Sequence, residues 1–196
     1  MKTLYIITQS FAENKGSFSG VIEDFAKHIS TGNKGYEIII LCAKNNEKEK
    51  TTETLSYAKV IRFPRVKAPF LANIVQGLYF ASKVNSYLKN RVSKDDLIFA
   101  NGEAALGVIA HKYIVRAGDQ PAFIFLKNME IAKKQVSIVT RIARFIHVSI
   151  QYLLECVYIT KAEGIVYASE ETRDLYVDYY HCGNKPYFVP RSGVVT

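Results

Sequence analysis

Short apolar runs alternating with longer stretches of helical period are the feature that most restricts what this chain can fold into. Thr3 to Thr8, Glu37 to Ala43 and Leu97 to Ala100 are nearly continuous in apolar residues, as strands buried on both faces of a parallel sheet must be. Further strands are predicted at Val60 to Phe63, Ala122 to Leu126, Gly164 to Ala168 and Tyr187 to Val189. Between them, "VIEDFAKHI" sets Val21, Ile22, Phe25 and Ile29 on one side of a helix that "GNKG" closes. Two more helices are read from "APFLANIVQGLYFASKVNSYLKNRV" and from "EAALGVIAHKYIVRAG", the latter ended by Gly118. An element from about Met129 to about Thr160 exceeds ordinary helix length, so a bend or break is expected near its middle. "ASEETRDLYVDYY" opens on Ser169 as an N-cap, with Glu171 and Asp174 near the positive helix end. "KNNEKEKTTET" reads as a solvated loop. The expected fold is α/β: a Rossmann-like, doubly wound, mostly parallel sheet of about seven strands in three α/β/α layers, one domain across residues 1–196.

With 48% hydrophobic residues in 196, the chain can bury a substantial core, which excludes disorder as its general state. Its 26 basic against 18 acidic residues leave a formal charge of +8 and favour an anionic partner. No aromatic stripe interleaved with lysine is present, so nucleic acid is not the expected one. Cys42, Cys156 and Cys182 are odd in number and widely spaced, suggesting neither a disulfide framework nor a zinc site. His28, His111, His147 and His181 are scattered without ligand spacing, and no metal is expected. The N-terminus "MKTLYIITQSF" has a short apolar run and no small-residue cleavage site, so it reads as a first strand and the protein as cytoplasmic. Ile142 to Thr160 is apolar enough to raise the question of a membrane span. Arg144, His147, Gln151 and Glu155 interrupt it at a cost of a few kcal/mol each in hydrocarbon, and a span is not expected.

In sheets of this kind ligands gather outside the carboxyl ends of the strands, where helix N-termini offer free amides to anions. Gly16, Ser17, Ser19 and Gly20 follow the first strand: the glycines permit close backbone approach and the serines add hydroxyl donors. Their G-x-x-x-G spacing matches neither the dinucleotide fingerprint nor a P-loop. Asn101, Gly102 and Glu103 follow "DLIFA" at the same edge, and Lys127 and Asn128 follow "AFIFL". Hydroxyl, amide, carboxylate and ammonium groups on one rim suit a sugar, whose hydroxyls need donors and acceptors, together with a phosphate. Each residue taken singly also fits ordinary turn and capping chemistry, with Ser19 as helix cap and Glu103 as a first-turn acid.

With these pieces placed, the sequence resembles the N-terminal domain of a GT-B glycosyltransferase, most like glycosyltransferase family 4. The resemblance rests on the loop and helix "SGVIEDFAKHI", the second strand "KGYEIIILCA", the Asp-led "DDLIFANGE" and, most specifically, "KAEGIVYASEETRDLYVDYYHCGNKPYFVPRSGVV". It departs from the family at Ser19-Gly20, where many members have Gly-Gly, and at Lys127 and Asn128, where many carry a His. The resemblance implies the acceptor-binding half of a retaining, metal-independent transferase, inactive alone, acting on a sugar or lipid-linked acceptor in cell-envelope or surface polysaccharide synthesis. It implies no cofactor in this domain; a nucleotide-sugar donor would be held chiefly by a C-terminal domain that is missing from this chain and is its expected partner. Catalytic residues are not assigned.

A second surface is predicted further along. Lys133, Lys134, Arg141 and Arg144 accompany Ile138, Ile142, Phe145 and Ile146, with positions 134, 141 and 144 on neighbouring parts of one helical face. A basic amphipathic surface of this kind lies on anionic bilayers, placing the protein peripherally on the inner face of the membrane. The same residues also fit a solvated helix whose apolar side covers the sheet. Two other functions remain compatible with the sequence: a non-catalytic membrane-surface or partner-binding module on this fold, and an unrelated doubly wound protein holding a mononucleotide at its first loop.

Overall fold

The computed structural model describes residues 2–11, 18–32, 35–66, 72–118, 121–122, 124 and 138–190. Its α/β class is the expected one, with mostly parallel strands in a Rossmann-like arrangement, and the described residues hold eight strands. The chain divides into two compact units, Met1–Tyr113 and Ile114–Thr196.

In the first unit, strands β1 (Lys2–Ile7), β2 (Tyr36–Ala43), β3 (Thr52–Thr54), β4 (Lys59–Phe63) and β5 (Leu97–Asn101) run in the order β3-β4-β2-β1-β5. β1 pairs in parallel with β2 through Ile6↔Ile40 and with β5 through Ile6↔Phe99, whereas β3 is antiparallel to β4. Ile6, Ile7, Ile40 and Leu41 are wholly buried, as the unbroken apolar runs require of central parallel strands. Helix α1 (Phe18–Gly32) ends at its glycine and packs Ile22 and Ala26 into this core, with Phe25 and Ile29 beside them. Val21, expected on the same side, faces solvent because it lies about 100° around the helix from Ile22. Helix α2 (Ala72–Leu88) buries Ile74, Gly77, Phe80, Ala81, Val84 and Leu88, a single face at three- and four-residue spacing.

Elsewhere the structure differs from the sequence expectation. The helix expected over "EAALGVIAHKYIVRAG" is a 3-10 helix, Gly102–Val108, and its later residues form strand β6 (Ile114–Arg116) in the second unit. Ile114 and Val115 are β-branched and pair with Gly164 and Ile165, so tertiary pairing outweighs a local helical period. β3 lies inside the stretch expected to be a solvated loop; its Glu53 is held by Arg62 of β4 at 2.8 Å.

The second unit contains β6, β7 (Gly164–Val166) and β8 (Tyr187–Phe188), all parallel in that order. Helix α3 (Ile138–Lys161) runs unbroken through about residue 145, where the middle of the longer expected element would have been interrupted; the first part of that element, before Ile138, lies outside the described residues. By length and composition, Arg141–Lys161 suffices to cross a membrane. Helix α4 (Glu170–Tyr180) begins as expected at Ser169, whose Oγ accepts the Thr172 N–H at 3.1 Å. It ends at His181, whose φ of 51° lies in the left-handed region and whose N–H donates to the Val177 carbonyl at 3.0 Å. The strand expected at Ala122 to Leu126 does not form where it is described. Ala122 and Ile124 are helical, because Pro121 presets the first turn, the Ile124 N–H donates back to its carbonyl at 3.0 Å, and the Ala122 N–H is taken by Glu155 at 2.7 Å.

Candidate functional site

The carboxyl ends of β1, β2, β4 and β5 in the first unit gather polar groups. Past Ile7, the Thr8 N–H donates to the Leu41 carbonyl at 3.0 Å and the Gln9 carbonyl accepts from the Ala43 N–H at 3.3 Å, carrying the parallel pairing beyond the strand. Gln9 then reaches sideways. Its Nε2 donates to Glu103 Oε1 at 2.7 Å, joining the segment after β1 to the segment after β5.

Glu103 is set by its backbone. Gly102 adopts φ of +51°, which costs an L residue with a side chain about 1–2 kcal/mol, and this turn starts the 3-10 helix beneath the carboxylate. Asn101, half buried, makes no side-chain capping bond, so the capping role that would have explained it is not the one it plays. From α2, Gly77 comes close: a Cβ there would lie 3.3 Å from Gln9 Nε2 and 3.8 Å from Glu103 Oε2. Its neighbour Gln76 spends Oε1 on the Val66 N–H at 2.8 Å, and its Nε2 is buried with no hydrogen-bond partner among the described residues.

On the other side of β1, buried Arg62 of β4 pairs with Glu53 at 2.8 Å and with Glu49 at 3.6 Å. Glu49 also accepts from the Asn45 N–H at 2.8 Å and its side-chain amide at 3.1 Å, and that amide donates to the Phe11 carbonyl at 3.2 Å. The network fixes buried Phe11, the last described residue before the glycine-rich segment. The Cys42 thiol in this strand set is pushed up to about 12 by burial, which outweighs the opposing pull of Arg62.

Of the residues expected to bind substrate, Gly20, Asn101, Gly102 and Glu103 are described in the first unit. Gly16, Ser17, Lys127 and Asn128 lie outside the described residues. Ser19 lies within α1, which begins at Phe18, so it is a first-turn residue and not the N-cap. Among the basic residues, Lys133 and Lys134 are outside the described residues; Arg141 is half buried and Arg144 exposed. The Asp that leads β5, Asp96, sits at the opposite, amino end. Burial works to raise its pKa, but hydrogen bonds from Ser93 and Thr3 prevail and hold it below the usual carboxylate range. No cluster of three His, Cys, Asp or Glu able to hold a metal occurs among the described residues.

Gln9, Gln76 and Arg62 were not among the expected site residues. Gln9 was accessible to the strand-end rule that selected Asn101, since it follows the first apolar run directly. Gln76 and Arg62 carried no such signal, because one is a helix residue and the other an in-strand cation whose placement depends on tertiary pairing.

Comparison with solved structures finds chains of similar fold. Sucrose-phosphate synthase from Thermosynechococcus elongatus superposes with a TM-score of 0.65 at 12% identity, over 96% of this chain and 47% of that one. An α,α-trehalose-phosphate synthase (UDP-forming) from Burkholderia vietnamiensis gives 0.55 at 7%, over 92% and 42%. A UGT transferase from Siraitia grosvenorii in complex with UDP gives 0.57 at 10%, over 96% and 50%. No protein-family model matches the sequence, and no curated protein matches it. At these identities the likeness is one of fold: the chain has the GT-B type of Rossmann-like fold and spans about half the length of these enzymes.

Proposed function

We propose that this chain is the acceptor-binding half of a nucleotide-sugar-dependent glycosyltransferase. The observation that carries the reading is the Gln9–Glu103 pair, 2.7 Å apart at the carboxyl ends of adjacent parallel strands, in a fold shared across 96% of the chain with a sucrose-phosphate synthase. Glu103 supplies an acceptor for sugar hydroxyls. Gln9 supplies a donor, and Asn101, free of any capping bond, supplies both donor and acceptor. Gly16, Ser17, Ser19 and Gly20 are the residues offered to the transferred sugar or its phosphate. The donor, a nucleotide sugar, is bound mainly by a second domain, and transfer retains anomeric configuration without a metal, as in family 4. The acceptor is a glycan or lipid-linked precursor of surface polysaccharide, met at the cytoplasmic face of the membrane.

The test is transfer by the full-length gene product with a panel of uridine- and guanosine-diphosphate sugars. Glu103→Gln and Gln9→Ala are expected to lower kcat/KM by about tenfold or more, the scale of one lost charge-assisted hydrogen bond, with folding intact. Absence of transfer from every donor, or turnover unchanged in both variants, overturns the reading.

A further inference from the structure

Helix α3 carries two faces that differ in an unusual direction. Ile142, Phe145, Ile146, Leu153 and Val157 are all more than two-fifths exposed, with Leu153 at 62%. At about 100° per residue they fall within an arc roughly 120° wide that runs about 23 Å along the helix. Such a contiguous apolar strip on a soluble surface marks a contact site. The opposite face is fixed to the fold: Val148, Tyr158 and Ile159 are buried there, and Glu155 accepts from Ala122 N–H, Tyr158, Tyr176 and Tyr180. A helix pinned in this way lies along a surface and does not leave the fold to cross one.

Charge selects the surface. Between Lys127 and Lys161 the sequence has six Lys and Arg and only two acids, Glu130 and Glu155. Within α3 the single acid is the buried Glu155, so no carboxylate of α3 faces outward. Arg141 and Lys161 stand about 100° to either side of Ile142, flanking the apolar arc, where long cationic side chains extend toward headgroups. Arg144 points elsewhere, about 200° around from Ile142, and belongs to the long-range attraction instead of the contact.

We propose that the outward face of α3 rests on an anionic lipid bilayer, the apolar arc entering the headgroup boundary and the flanking cations pairing with phosphates. The inference is independent of the transferase reading, because vesicle binding requires neither donor nor acceptor.

The experiment is co-sedimentation of the 196-residue chain with phosphatidylcholine vesicles, with and without about 30% phosphatidylglycerol, at low salt and at about 0.5 M salt. Binding is expected only to the anionic vesicles, and to fall with salt. The double variant Phe145→Asp/Leu153→Asp should bind at least tenfold more weakly while its circular dichroism stays unchanged, and Arg141→Ser about fivefold more weakly. Should the aspartates unfold the chain, the milder pair Ile142→Ser/Val157→Ser supplies the same comparison. No binding at low salt, equal binding to neutral vesicles, or binding undiminished in the folded arc variant overturns the proposal. So does a dimer in sedimentation velocity that the arc variants disrupt while vesicles are ignored, which would make a second copy of the chain the occupant.

Discussion

The two units satisfy their buried charges in different ways. The first, 2–113, buries apolar strands and pairs each of its buried charges with an opposite one, Arg62 with Glu53 and Glu23 with Lys27: Ile6, Ile7, Ile40 and Leu41 lie inside while Gln9, Asn101 and Glu103 crowd one rim. The second buries a carboxylate. Glu155, 6% exposed, collects four hydrogen bonds from three phenols and a backbone N–H, while α3 turns isoleucine, phenylalanine and leucine outward. Buried polar groups persist only when they are satisfied, and the second unit meets its carboxylate with neutral donors where the first meets its buried charges with opposite ones.

The strongest way to break this comparison is Glu155→Leu. It strands one buried N–H and three phenols, and should cost about 3–5 kcal/mol in chemical denaturation, within the roughly 2–5 kcal/mol expected for Ile40→Ala in the apolar core. A loss under about 1 kcal/mol would show that the polar cluster holds nothing together. Next comes Gly107→Ala in the first unit, whose Cβ would meet Val84 Cβ at 2.8 Å and the Ala81 carbonyl at 3.1 Å; a loss of about 1–3 kcal/mol is expected from this closely packed contact between α2 and the 3-10 helix. The two left-handed residues sharpen the contrast further. Gly102→Ala should lose about 1 kcal/mol, whereas His181→Gly should gain about 0.5–1 kcal/mol by removing a side chain from a conformation that disfavours it. Thermal melts of the pair, shifting in opposite directions, check both.

Alkaline pH gives the last and smallest effect. Burial, followed by the Glu155 charge, raises the Tyr176 and Tyr180 phenols above their ordinary value. A raised folded-state value means that the unfolded chain ionises first, so this contribution is intact below about pH 10 and declines as pH rises through the folded values. Phenolate absorbance should therefore appear late and together with unfolding, and Glu155→Leu should bring part of it earlier. Ionisation of every tyrosine in the still-folded chain near the ordinary value would contradict the buried cluster.

Several elements were legible in the residues because their cause is local. The unbroken apolar runs of β1 and β2, the spacing of Ile22, Phe25 and Ile29, and the Ser169 cap each act within a few residues. Where a distant partner decided the outcome, the sequence misled. Ile114–Arg116 carries a helical period but pairs with β7, Thr52–Thr54 is polar but is caught by Arg62, and Ala122 reads as strand but yields its N–H to Glu155, 33 positions away. At the site, Asn101, Gly102 and Glu103 were visible as the end of an apolar run. Gln9 was overlooked beside the more conspicuous glycines, and Gln76 could not be found from its own segment.

Sequence alone determined the α/β class, since buried parallel strands need uninterrupted apolar runs and the helices between them need an amphipathic period, and both are written in consecutive residues. Only the tertiary structure decided that Glu103 meets Gln9 across 94 positions and that Glu155 turns inward while Leu153 turns out. Those outcomes depend on which side chains from separate segments satisfy one another's hydrogen bonds, and no local pattern encodes that choice.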